Sequence, residues 1–248
     1  MKPEIFEYDW LHDKQPSHSI VDISCAERPA VRNAHPYLLT LCLHPRKKNS
    51  KDRLGPWMRY RSGSITRKLQ KICKGALAVW VGTRQYANRT ELFFYGAAEE
   101  NLRWLAQQTH SRALHGEDDI VPDKNWSVYD GSIYPSAAQK QVVKNEIWFQ
   151  RMKKSGDSIT IARRINHYLL FPNELERVKF EGMARQAGFV LGDPFFAPEA
   201  PLAYGICVHH RSAILLEQIN QSTTRLVEVA SPFGGQYEYW DCALIPRH

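Results

Sequence analysis

Residues 159–189, ITIARRINHYLLFPNELERVKFEGMARQAGF, decide the reading of the fold. In the first half Ile161, Ile165, Leu169 and Phe171 fall on one side of an extended chain, and Arg164, Asn166 and Tyr168 fall on the other. That alternation predicts a half-buried strand. Asn173 then offers an N-cap with Glu176 at the capping-box position, and Gly188 offers a stop, so a helix follows with Phe180, Met183, Ala184 and Ala187 as its inner stripe.

Working outward, FVLGDPFF and PLAYGICVHH read as two further strands, NQSTTRLVEVASPFGG as a second helix and QYEYWDCALI as a closing strand. The same order appears once before. PYLLTLCLH reads as a buried strand and ITRKLQKICK as a helix ended by Gly75. ALAVWVGT and RTELFFYG read as strands joined through RQYAN, followed by a helix over AAEENLRWLAQQTH with Leu102, Leu105 and Ala106 inward. HGEDDIVPDKN reads as a polar loop and WSVYDGSIY as the last strand. The expected architecture is therefore α+β, two tandem ferredoxin-like (βαββαβ) sandwiches with antiparallel sheets. The divisions expected are a basic domain over residues 1–134, a linker helix over 135–156 and a second domain over 157–248.

Such a sheet leaves one face without helices. If Trp240, Cys242 and Leu244 point into the core, strict alternation sends Tyr237, Tyr239 and Asp241 outward, beside Arg164, Asn166, Tyr168 and His209. Arg164, Tyr168, His209, Tyr237 and Tyr239 are the candidate partner-binding residues. The alternative is that the first domain or the linker helix covers this face.

The formal charge of +7 is unevenly divided: residues 1–156 hold 25 Lys and Arg against 16 Asp and Glu, whereas residues 157–248 hold 8 against 10. An acidic partner is implied for the first part. Its basic residues gather in Arg46, Lys47, Lys48, Lys51, Arg53, Arg59, Arg61, Arg67, Lys68, Lys71 and Lys74, against Asp52 alone. With Trp57 and Tyr60 interleaved, this patch suits single-stranded RNA or an acidic protein. The alternative reading is a solvated loop and helix face, with Trp57 anchoring the loop to the core.

Catalytic chemistry has little to stand on. The five cysteines form no CxxC pair and read as buried thiols, and His209 and His210 are adjacent on a strand and point apart, so neither metal nor cofactor is expected. His167, between Ile165 and Leu169, reads as a core histidine. No phosphate-binding loop, dinucleotide fingerprint or nucleophile elbow occurs. No run is long and apolar enough to span a bilayer and the N-terminus is no secretion signal, so a cytoplasmic protein is expected.

The stretch from RINHYLLFPNELERVKFEGMARQAGF to GGQYEYWDCAL resembles the bacterial family of regulators of ribonuclease E activity, type B. Its punctuation at Gly188-Phe189 and Asp193-Pro194 and its closing Gly-Gly-x-Tyr-x-x-Trp carry the likeness. Family members usually end Tyr-Asp-Gly-Trp, where this chain has Tyr237, Glu238, Tyr239 and Trp240. Residues 5–110, with Trp10, Asp22, Pro29 and VWVGTRQYANRTELFFYG, resemble bacterial domain of unknown function 695. The resemblance implies a non-catalytic binding protein, a regulator of RNA turnover whose partner is an RNA-processing enzyme. Direct RNA binding through residues 46–74, and a small-molecule sensor or enzyme with an interdomain site, stand as the alternatives.

Overall fold

The computed structural model describes residues 3–45, 56–73, 77–109 and 114–246, with the side chains of residues 56–59 and 61 left aside. They form an α+β chain of two units, Met1–Pro135 and Ser136–His248, each built on an antiparallel sheet.

In the first unit, β1 (Ile5–His12) and β2 (Gln15–Asp22) form a hairpin. Its two turn residues, Asp13 and Lys14, both take positive φ, the left-handed pair that matches strand twist in a two-residue turn. A short helix, α1 (Pro29–Ala34), leads to β3 (Tyr37–Pro45), and α2 (Pro56–Ile72) leads to β4 (Ala78–Tyr86) and β5 (Arg89–Gly96). These two strands meet at the RQYAN turn as expected, with Ala87 and Asn88 at positive φ. Then come α3 (Glu99–Gln107) and β6 (Leu114–Pro122), and the sheet order is β1-β2-β4-β5-β3-β6. Leu39, Leu41, Leu43, Leu69, Phe94 and Leu102 pack the core between sheet and helices.

Three sequence readings fail here. HGEDDIVP is strand β6, not a loop, and it pairs with β3 from Tyr37↔Pro122 to Pro45↔Leu114. Being an edge strand, it leaves Glu117, Asp118 and Asp119 in solvent, and charge at an edge protects against unwanted pairing. WSVYDGSIY is not a strand: Tyr129–Ile133 is a turn of π-helix. Asp123 fixes this segment by accepting from the Ser127 and Val128 amides (2.8 and 3.0 Å) and from the Tyr95 hydroxyl (2.6 Å). Trp126 then stacks on Tyr95 at 3.8 Å. The basic helix is also longer than read, since Pro56 begins it; Gly75 lies outside the described residues.

The second unit opens with α4 (Ala137–Lys154), started by a capping box between Ser136 and Gln139. The segment read as a linker packs against α6 within this unit. There follow β7 (Arg163–Phe171), α5 (Glu174–Gln186), β8 (Val190–Phe196), β9 (Tyr204–Ser212), α6 (Leu216–Ala230) and β10 (Gln236–Cys242), in sheet order β10-β7-β9-β8. Asn173 caps α5 by accepting from the Glu176 amide (3.0 Å), and Gly188 ends it at φ 91. Phe180 and Ala184 face inward as expected, but Met183 lies beside the stripe and is exposed. Ile165, Leu169, Phe180, Ile206, Leu226 and Trp240 make the core between the helices and one sheet face. Leu244, expected inside, lies beyond β10 and is exposed.

The run β3-α2-β4-β5-α3-β6 places its strands in the spatial order fourth, first, third, second, and β7-α5-β8-β9-α6-β10 does the same. Of the cysteines, Cys25 and Cys73 are buried, while Cys42, Cys207 and Cys242 are half-buried. Among the described residues no helix is long and apolar enough to cross a membrane.

Candidate functional site

The face of the second sheet turned away from α5 and α6 collects aromatic rings. On β7, alternation brings Arg164, Asn166 and Tyr168 to this side, opposite buried Ile165, His167 and Leu169. Tyr239 lies across from Tyr168 in the β10–β7 register, and their rings stack at 4.6 Å with 23° between planes. Phe195 of edge strand β8 adds a third ring, 6.3 Å from Tyr168. It reaches there by lying over Gly205 of β9: a Cβ at that position would sit 2.2 Å from the ring. Gly205→Ala is therefore expected to push the Phe195 ring off β9, which loss of the Phe195–Tyr168 ring contact in proton NMR would register.

Polar groups border the rings. Arg164 Nε donates to Asn166 Oδ1 at 2.7 Å, and Asn166 Nδ2 donates to Asp241 Oδ1 at 2.7 Å. Partial burial and the Asp241 carboxylate push the Tyr168 phenol up to about 12, so it remains a hydrogen-bond donor. His209, paired across from Asn166, has its pKa lowered by burial and by the Arg164 charge, which favours the neutral ring. The surface combines half-exposed aromatic area with both donors and acceptors, the composition protein interfaces favour.

Arg164, Tyr168, His209 and Tyr239 thus share one face, but Tyr237 does not. A β-bulge between Tyr237 and Tyr239 resets the alternation, so that Tyr237 and Trp240 both turn inward. The Tyr237 hydroxyl bonds His167 Nδ1 at 2.7 Å, and His167 Nε2 meets His210 Nδ1 at 3.0 Å. His210 Nε2 in turn lies 3.2 Å from Ser212 Oγ and 3.3 Å from Ser222 Oγ. The histidine expected in the core is there, fully buried, with both ring nitrogens engaged. Sequence reasoning missed Phe195 and Gly205; the signal was a glycine inside a strand, which marks close approach.

Of the basic patch, Arg46, Lys47, Lys48, Lys51, Arg53 and Lys74 lie outside the described residues, and Trp57, Arg59 and Arg61 fall on the first turns of the α2 backbone. Arg67, Lys68 and Lys71 are exposed on the outer side of α2, opposite buried Leu69 and Cys73. Two of them already spend a donor on the protein itself. Lys68 Nζ donates to the Gln108 carbonyl at 2.7 Å and Arg67 Nε to the Gly63 carbonyl at 3.2 Å.

The bulged end of β10, with its inward Tyr237 and Trp240, closes the segment that carries the comparison with known proteins. Residues 143–242 match the family described as regulator of ribonuclease activity B. The match to regulator of ribonuclease activity B runs from within α4 to the end of β10, and so takes in every strand of the open face. No curated protein matches the chain. Among solved structures, a crystal structure of an unknown protein from Galdieria sulphuraria aligns over 85% of this chain and 99% of that one, at 10% identity and a TM-score of 0.21.

Proposed function

We propose that this chain is a non-catalytic regulator of a ribonuclease, acting by protein–protein contact through the open sheet face of its second unit. The family match supplies the ribonuclease; the exposed stack of Tyr239 on Tyr168 is the observation that carries the contact. Tyr239 is 51% exposed, on a sheet face that none of the unit's helices covers. Large, stiff aromatic groups of this kind dominate interface energetics because little side-chain entropy is lost when they dock. Arg164, His209 and Asp241 would set the orientation of the partner at the rim. The shared strand order of the two units supports an architecture of tandem ferredoxin-like sandwiches, the first extended by the β1–β2 hairpin.

The test is inhibition of RNA cleavage by purified ribonuclease E with the full chain and its Tyr239→Ala variant. Truncating a central aromatic is expected to weaken association by about 2 kcal/mol, some thirtyfold, while leaving the thermal melting of the chain nearly unchanged. Equal inhibition by the two proteins, or failure of the parent chain to bind the nuclease at all, defeats the reading.

A further inference from the structure

α4 carries apolar side chains on two sides: Met152, with Phe149 beside it, packs into the core, while Ile147 and Trp148 face outward. Its inner side buries Gln141 and Asn145, and Asn145 uses its whole amide: Nδ2 donates to Asn220 Oδ1 (2.9 Å) and Thr223 Oγ1 (2.7 Å), while Oδ1 accepts from Gln141 Nε2 (2.8 Å) and Trp240 Nε1 (2.9 Å). That network pins the helix against α6 and β10. Its outer side exposes Ile147 and Trp148, each 49% accessible. A surface helix needs only its inner apolar stripe, so a second, outward pair of adjacent large apolar side chains held in water marks a contact surface.

The shape and charge of that outer side say what fits it. Val143, Glu146, Ile147, Gln150, Arg151 and Lys154, all on α4, border a shallow, open depression, or groove, of about 340 Å³ along this side of the helix. The Arg151 guanidinium lies 5.3 Å from the Trp148 ring centroid. Along the helix five cations, Lys140, Lys144, Arg151, Lys153 and Lys154, face the single acid Glu146. A second copy of so basic a helix would be repelled. An RNA strand has Trp148 to stack on and cations for its phosphates, but it offers no apolar side chain to cover aliphatic Val143 and Ile147. An acidic chain with an apolar side chain satisfies both halves of the pattern.

We propose that the outer face of α4 is a docking surface for an acidic, amphipathic protein segment. One apolar side chain of that segment enters the groove beside Val143 and Ile147, and its carboxylates pair with Arg151 and Lys154. Because α4 packs on α6, in the helical layer behind the sheet, this surface and the Tyr168–Tyr239 face can be occupied together. The proposal does not depend on the reading of that other face.

The experiment uses the full chain and a fluorescein-labelled helical peptide as long as α4, with leucines at i, i+4 spacing and glutamate elsewhere. Anisotropy at low salt is expected to show saturable binding of this peptide. Binding should weaken about tenfold in Ile147→Ser and again in Arg151→Glu with Lys154→Glu, while remaining unchanged in Tyr239→Ala. A version of the peptide with lysine for glutamate should not bind. The proposal is overturned if the glutamate peptide fails to bind, or binds the α4 variants as well as the parent. It is equally overturned if oligouridylate, or vesicles of phosphatidylserine and phosphatidylcholine, bind through Arg151 and Lys154 where the glutamate peptide does not.

Discussion

Arg163→Met is expected to destabilise the second unit by about 3–5 kcal/mol, because it breaks a buried ion pair from one side. Arg163 opens β7 at 4% exposure, and its guanidinium lies 2.9 Å from the carboxylate of Asp157, itself 2% exposed. The same guanidinium donates to the carbonyls of Ala243 (2.9 Å) and Ser158, and Nε donates to that of Ile161 (3.2 Å). Asp157 also accepts from the Ile245 amide at 3.0 Å. The pair therefore ties the approach to β7 to the chain that leaves β10. Methionine fills similar volume without a donor, so a carboxylate and several carbonyls lose their partner in a site water reaches poorly. Replacing both members, Arg163→Met with Asp157→Leu, should recover part of the loss, since an apolar pair removes the uncompensated charge. Urea unfolding followed by tryptophan fluorescence measures both. A single-variant loss under about 1 kcal/mol, or a double variant worse than the single, contradicts this account.

Features set by neighbours in sequence were legible; those set across the sheet were not. The caps at Asn173 and Gly188, the Ala87–Asn88 turn and the inward Leu102, Leu105 and Ala106 each follow from a few consecutive residues, whose φ preference or helical phase decides the outcome. β6 failed because an edge strand pairs along one side only, so Glu117 to Asp119 cost it little and its composition copies that of a loop. α2 failed at its start, where a Gly-Pro step reads as a break although proline is favoured in a first helical turn.

The open face was legible in part for the same reason. Arg164, Tyr168 and Tyr239 follow from alternation, which extends along a strand until something interrupts it. The bulge between Tyr237 and Tyr239 is such an interruption, and nothing in QYEYWDC alone distinguishes a bulged strand from a regular one. What decides it is long-range: His167 and Trp240 both need polar partners inside, and only the bulge turns Tyr237 and Trp240 inward together. Phe195 likewise depends on Gly205, which is adjacent in space and ten residues away in sequence.

The second large effect is on the pH dependence of stability, and it comes from that buried polar row. Burial, reinforced by neighbouring His210 and His209, pushes the His167 pKa down to about 3, and burial lowers that of His210 as well. In the unfolded chain both imidazoles titrate near the ordinary value of about 6.5. Between these values the unfolded state takes up a proton that folded His167 refuses, so stability is complete above pH ~6.5 and falls as pH drops toward ~3. The slope is about 1.4 kcal/mol per pH unit for one such group, so His167 alone should remove about 2 kcal/mol by pH 5. His210 and His209, also lowered, act in the same direction. Carboxylates do not confuse the comparison, because those with lowered pKa, such as Asp123, lose their contribution only at more acid pH. His167→Phe combined with Tyr237→Phe removes both ends of the 2.7 Å bond, leaving no orphaned hydroxyl. Urea midpoints measured from pH 7 to pH 5 should fall more steeply for the parent than for the double variant, because the variant lacks one of the protons that drives the loss. Parallel lines would mean that His167 is not the group that titrates.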